Sequence, residues 1–128
     1  MSSRVLIADD VGFVRELLTQ ACEALGFIVV GEAVDGAEAI QMAQDLKPDI
    51  ILMDLVMPKY NGLEATIKIL EKNPEIAIVA CSSMDDEITL QQAVEKGCRA
   101  FLRKPFTKQS ISIVFQQIES QKRGVKHA

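Results

Sequence analysis

Ile50-Ile51-Leu52-Met53-Asp54-Leu55-Val56-Met57-Pro58 lies near the middle of the chain and leads into Lys59-Tyr60-Asn61-Gly62. Apolar residues run up to a single acid and resume after it. An unbroken apolar run of this length reads as a parallel strand covered on both faces. A carboxylate at the end of such a strand is costly to desolvate unless cations or hydrogen-bond donors meet it there. The everyday use of a strand-end Asp is to cap a turn. What Asp54 does therefore depends on what else the chain brings to that end.

Outward from this stretch, apolar runs and helical periods alternate. Val5-Leu6-Ile7-Ala8 is a short strand ending in Asp9-Asp10. Gly12 to Leu25 has Phe13, Leu17, Leu18, Ala21, Cys22 and Leu25 at helical spacing, with Gly26 as a stop. Phe27 to Ala33 is the second strand, and Asp35 is placed to cap a helix from Gly36 to about Leu46 with Ala39, Ile40 and Ala43 inward. Beyond the opening stretch, Gly62 starts a helix to about Lys72 whose buried row is Leu63, Ile67 and Leu70. Ile76 to Cys81 is the fourth strand and ends in Ser82-Ser83. Asp85-Asp86-Glu87 supplies acid to the start of a helix ending near Lys96, which suits the helix dipole, and Gly97 closes it. Arg99 to Arg103 is a short fifth strand ending at Lys104-Pro105. A last helix runs from a Thr107 cap to Gln121 with Ile111, Val114, Phe115 and Ile118 inward, leaving residues 121–128 as a frayed tail.

Five strands alternating with five helices across short loops predict an α/β fold, a five-stranded parallel sheet covered on both faces. The 128 residues fit one domain. A formal charge of −4 argues against a nucleic-acid surface. Arg4 is followed by too short an apolar run for a signal peptide, and no run approaches the roughly 20 residues of a membrane span. Cys22, Cys81 and Cys98 lack metal-type spacing and lie in apolar segments, so they read as small core residues in a reducing cytoplasm.

In open parallel sheets, ligands bind beyond the carboxyl ends of the strands. Those ends carry Asp9-Asp10, Asp54, Ser82-Ser83 and Lys104, whereas Glu32-Ala33 after the second strand offers little. The first loop is acidic where a dinucleotide fold would place Gly-x-Gly-x-x-Gly, and two carboxylates there repel phosphate and call for a cation. Asp9, Asp10 and Asp54 in one crevice would form a hard oxygen site suited to Mg²⁺. Zinc would want Cys or His, and the one histidine, His127, lies in the tail. The plain alternative for Asp10 is a cap on the helix that follows.

Arg4-Val5-Leu6-Ile7-Ala8-Asp9-Asp10, Met53-Asp54-Leu55-Val56-Met57-Pro58 with Asn61-Gly62, Cys81-Ser82-Ser83 and Phe101-Leu102-Arg103-Lys104-Pro105-Phe106 together resemble a bacterial two-component response-regulator receiver domain. The single-domain chemotaxis (CheY-like) type is the nearest likeness, and it extends from Arg4 to about Ile118. The resemblance implies a flavodoxin-like (βα)5 fold with strand order 2-1-3-4-5. It implies Asp54 as phosphoacceptor, served by the phosphohistidine of a histidine kinase or by a small phosphodonor. Asp9 and Asp10 would position Mg²⁺, with Asp10 the more direct ligand, and Asp54 and the Val56 carbonyl would complete the protein's share. Ser82 and Lys104 would each meet a phosphoryl oxygen, and Pro105 would follow a cis bond. Val56 and Met84 fall at the positions that tune dephosphorylation, and being apolar they predict a slow loss of the phosphoryl group.

Phe101 stands at the switch-aromatic position, usually Tyr, where plain core packing is the alternative. Ser82 and Phe101 would then couple phosphorylation to an output face made of the fourth helix, fifth strand and fifth helix, with Arg99, Arg103 and Lys108 on it. The resemblance thus implies a phosphorylation-activated switch, not an enzyme with an external product, as a monomer or a phosphorylation-linked dimer. A Mg²⁺-dependent aspartyl-phosphate phosphohydrolase is the rival, but it would carry a second acid where Val56 stands. A pseudo-receiver that docks without phosphorylation is the third reading.

Overall fold

Five strands, β1 (Arg4–Ala8), β2 (Ile28–Ala33), β3 (Ile50–Asp54), β4 (Ala77–Ser82) and β5 (Ala100–Arg103), alternate with five helices in the computed structural model. The helices are α1 (Gly12–Ala24), α2 (Gly36–Leu46), α3 (Gly62–Lys72), α4 (Glu87–Glu95) and α5 (Lys108–His127). Residues 3–83 and 87–127 are described, with side chains to residue 121. Met84 and the Asp85-Asp86 pair therefore lie outside the described residues. The strands are all parallel in the order β2-β1-β3-β4-β5, as the resemblance implies.

β3 sits in the middle because every one of its residues can be buried. Side chains alternate between the two faces of a strand, which divides the core in two. Ile50 and Leu52 join Val5, Ile7, Leu18, Cys22 and Phe115 beneath α1 and α5. Ile51 and Met53 join Leu6, Ile78, Ala39, Ala65 and Ile69 beneath α2, α3 and α4. Ile50, Ile51 and Leu52 are fully buried, and each stabilises the fold by roughly 1.5–3 kcal/mol on leaving water. The three thiols are free and buried. Burial pushes Cys22 up to about 12 and Cys98 up to about 11, and raises Cys81 as well, so they pack as apolar groups.

The helix starts follow local chemistry. Asp35 Oδ1 accepts from the Glu38 N–H at 2.8 Å, and Thr107 Oγ1 from the Ser110 N–H at 2.9 Å, as expected of both. Asn61 forms a reciprocal capping box with Glu64 at 2.9 and 3.3 Å. Asp10, by contrast, caps nothing: α1 enters through Val11 with no side-chain cap.

Some inward faces differ from expectation. In α3 the buried residues are Gly62, Ala65, Thr66 and Ile69, while Ile67 is exposed. A Cβ on Gly62 would lie 2.6 Å from Leu55 Cα, so this helix starts in close approach to the end of β3, and the small Ala65 and Thr66 face inward with Ile69 beyond them. Leu63 and Leu70 flank that row. In α1, Leu18 and Cys22 are buried while Phe13 and Leu17 are exposed. α5 continues to His127 instead of ending near Gln121. No proline interrupts it, and Gly124 costs a continuing helix only about 1 kcal/mol. Among the described residues no helix is long and apolar enough to cross a membrane.

Candidate functional site

The register of the sheet sets Ala8 beside Met53, Asp54 beside Cys81 and Ser82 beside Arg103. The strand ends therefore bring Asp9, Asp54, Ser82 and Lys104 to one carboxyl edge. Asp9, Asp54 and Ser82 are buried, at 1%, 4% and 3% exposure, whereas Asp10 is exposed. Carboxylate oxygens of Asp9, Asp10 and Asp54 all lie within 4.8 Å of one another. Lys104 Nζ is 3.4 Å from Asp9 Oδ2 and 3.6 Å from Asp54 Oδ2. The Lys104 N–H donates to the Ser82 carbonyl at 2.8 Å, and the Lys104–Pro105 bond is cis as the resemblance implies. Lys104 thus rests between two carboxylates.

Each buried acid is partly satisfied. Asp54 Oδ1 accepts from the Val56 N–H at 3.1 Å and Asp9 Oδ1 from the Val11 N–H at 2.8 Å. Asp54 thus performs the turn role open to any strand-end Asp, but with one oxygen only. Burial pushes its carboxyl up to about 6, against the lowering effect of the Val56 N–H; Asp9 and Asp10 raise it further and Lys104 pulls it back. Burial alone would lower the Lys104 ammonium, but Asp54 and Asp9 together outweigh it and hold it above its usual value.

Asp9 Oδ2 is buried and has no hydrogen-bond partner among the described residues. The Lys104 ammonium lies at ion-pair distance from it, 3.4 Å away. With one ammonium among three clustered carboxyl groups, the site is short of positive charge. Its donors are hard oxygens with neither Cys nor His among them, which fits Mg²⁺. Val56 itself is 71% exposed.

The loop after β3 is packed against its neighbours. A Cβ on Gly36 would collide with the Tyr60 backbone and one on Gly62 with the Asp54 carbonyl, so both positions require glycine. Lys59 Nζ lies 3.4 Å from Asp35 Oδ2. Sequence reasoning missed two residues behind the acid pair, Arg15 and Glu32. Arg15 Nη1 donates to the Asp9 carbonyl at 2.8 Å and its Nε to Glu32 Oε1 at 3.2 Å. The available signal was an Arg in the first turn after an acidic loop, with a Glu at the end of the neighbouring strand.

The open parallel sheet thus gathers three carboxylates and a lysine at its carboxyl edge, a set of oxygen donors that could hold a metal ion. Residues 5–116 match the family model described as the response regulator receiver domain. The chain belongs to that family. It is similar to the chemotaxis protein CheY of Thermotoga maritima, 40% identical over 106 residues that cover 83% of this chain and 88% of that protein. Among solved structures it resembles the response regulator domain of Thermotoga maritima CheB, with a TM-score of 0.82 and 35% identity over 94% of this chain and 96% of that one. It also resembles a chain of the CheX-CheY-BeF3-Mg complex of Borrelia burgdorferi, with a TM-score of 0.83 and 29% identity over 92% and 87%. Receiver domains act as phosphorylation switches in two-component signalling, not as conventional enzymes.

Proposed function

We propose that Asp54 accepts a phosphoryl group from the phosphohistidine of a histidine kinase, or from a small phosphodonor, in a Mg²⁺-dependent reaction, and that the protein thereby changes the surface it presents to a partner. The observation that carries this reading is the position of Asp54, buried within 4.8 Å of two further carboxylates and 3.6 Å from the Lys104 ammonium. Phosphoryl transfer asks a protein for positioning and charge neutralisation more than for covalent chemistry. A carboxyl near 6 is mostly ionised at neutral pH and so is competent as a nucleophile.

Asp54 Oδ2, not engaged by the Val56 N–H, forms the new bond to phosphorus. The P–N bond of the donor breaks, its electron pair stays on the imidazole, and that ring takes up a proton from solvent. Lys104 leaves the carboxylates for an incoming phosphoryl oxygen, and the buried Ser82 hydroxyl donates to another. Asp9, Asp10, Asp54 and the Val56 carbonyl would hold Mg²⁺, which when bound supplies positive charge to the transferring oxygens. The exposed, apolar Val56 side chain cannot serve as a general acid, so the site supports slow loss of the phosphoryl group and does not support a phosphohydrolase.

The output would be read on the groove between α4, β5 and α5, a cleft of about 710 Å³ lined by Val94, Phe101, Arg103, Ile113 and Gln117. Ser82 and the half-exposed Phe101 would be its moving parts. A chemotaxis or other two-component pathway in the cytoplasm is the setting that agrees with the relatives. The test is incubation with Mg²⁺ and acetyl phosphate, followed by mass mapping of the adduct and its decay. A long-lived adduct on Asp54, absent from Asp54→Asn, is the expected result. Many turnovers would point to a phosphatase, and no adduct to a docking module that is never phosphorylated.

A further inference from the structure

Glu32 is the penultimate residue of β2 and Arg15 lies in the first turn of α1, both outside the acid pocket, yet they form a chain that ends on it. Thr19 Oγ1 donates to Glu32 Oε2 at 3.3 Å, and the other Glu32 oxygen takes the Arg15 Nε at 3.2 Å. The far nitrogen of the same guanidinium donates to the Asp9 carbonyl at 2.8 Å. The Arg15 side chain is 18% exposed and that of Glu32 41%, so the chain is more enclosed at its Asp9 end than at Glu32.

The chain has a local cause. α1 has no side-chain cap and no acidic residue in its first turn, so at its own N-terminus the Val11 N–H on Asp9 Oδ1 is what fastens the acidic loop. Helical side chains lean toward the N-terminus, and an arginine in the first turn therefore reaches back over the loop. Its planar fork can hold two acceptors at once, which a lysine cannot do with the same geometry. The arginine's charge is committed to Glu32, and at Asp9 it touches only a neutral carbonyl. Its action on the pocket is geometric.

The hydrogen bonds of Asp9 show what that geometry achieves. Its N–H donates to the Ala33 carbonyl at 3.1 Å, its own carbonyl accepts from Arg15, and Oδ1 accepts from the Val11 N–H. Only Oδ2 is left without a hydrogen bond, and it is buried in the acid cluster. We propose that Arg15, held by Glu32, is a positioning residue of the phosphorylation site, fixing the Asp9 backbone so that Oδ2 and the neighbouring Asp10 are aimed at the cation. This rests on the Mg²⁺ reading of the site given above.

The test is calorimetric titration of Mg²⁺ into the full chain, wild type beside Arg15→Met, Arg15→Lys and Glu32→Gln, with a melting curve of each in EDTA. Groups that orient metal ligands typically contribute 10–100-fold to affinity, and because two other bonds still hold Asp9 the lower end applies, about tenfold for Arg15→Met. Arg15→Lys and Glu32→Gln should fall between that variant and wild type. A merely structural role would lower melting temperatures and leave the Mg²⁺ affinity of the folded protein where it was. If Arg15→Met does not fold, the isosteric Glu32→Gln carries the test. Affinity within about twofold of wild type in the folded variants overturns the proposal while leaving the site intact. A wild-type protein that binds no Mg²⁺ overturns the metal reading, and this proposal with it.

Discussion

Asp54→Asn should make the metal-free protein more stable at neutral pH, even though it removes one partner of a buried ion pair. Burial, opposed by the Val56 N–H and by Lys104 and reinforced by Asp9 and Asp10, moves the Asp54 carboxyl from 3.8 to about 6. A carboxyl whose pKa is higher folded than unfolded binds its proton more tightly in the folded state. It therefore supports the fold fully below the unfolded value, and that support is lost as pH rises through the folded value. The window runs from 3.8 to about 6, and at 1.36 kcal/mol per pKa unit its full span is roughly 3 kcal/mol. Because the carboxyl interacts with several charged neighbours at once, an effect on the order of 1–3 kcal/mol is expected. Asn keeps an acceptor for the Val56 N–H and carries no charge to desolvate. The assay is thermal or urea unfolding in EDTA across this window, read as variant minus wild type so that other titrating groups cancel. The variant should melt several degrees higher at neutral pH, the gap should close near pH 4, and Mg²⁺ should stabilise wild type more than the variant. Equal stability at neutral pH, or a gap that persists in acid, would refute the reasoning.

Val56→Asn should shorten the half-life of the phosphorylated protein while changing stability by less than about 0.5 kcal/mol, since the side chain is exposed; an unchanged half-life in a label-decay assay counts against its role. Lys104→Met removes the ammonium at 3.4 and 3.6 Å from two carboxylates. It should slow labelling by acetyl phosphate and move the Asp54 titration above about 6, as followed by carbon NMR. Gly62→Ala would press a Cβ against the Asp54 carbonyl and the Leu55 Cα. A loss of about 2 kcal/mol or more is expected, and a wild-type melting temperature would show that the loop yields.

The acids and the lysine were legible because each ends an apolar strand, and a parallel sheet delivers all its strand ends to one edge. The order β1-β3-β4-β5 did the assembly; no residue had to be located by its own signal. Inward faces were less legible. Helical periodicity in α3 ranked Ile67 as buried because it counts apolar residues, but it is blind to distance. The close approach at Gly62 selects Ala65 and Thr66 instead and turns Ile67 outward. Arg15 and Glu32 were illegible for a related reason: each looks like an ordinary surface charge until the β1–β2 pairing sets Ile7 beside Glu32. Their link to Asp9 spans two elements, and no local pattern records it.

Phe101 was open to two readings from sequence, core or switch, and its position bears on both. The ring is 42% exposed, so in this conformer it is not core. The Arg103 guanidinium stands 5.7 Å from its centroid and pairs with Glu87 Oε1 at 2.6 Å. A cation held over an exposed ring favours the outward state by roughly 0.5–1 kcal/mol. Burying the remaining exposed part of the ring would favour the inward state by about 1 kcal/mol or somewhat more. Without a tyrosine hydroxyl there is no hydrogen bond to add to either side. Two small opposed terms leave the ring close to balance, and a balanced element is the kind that one charge change at a buried carboxylate can tip. On the switch reading, Arg103 and Glu87 therefore set the resting bias, and phosphorylation needs to supply little more than the difference.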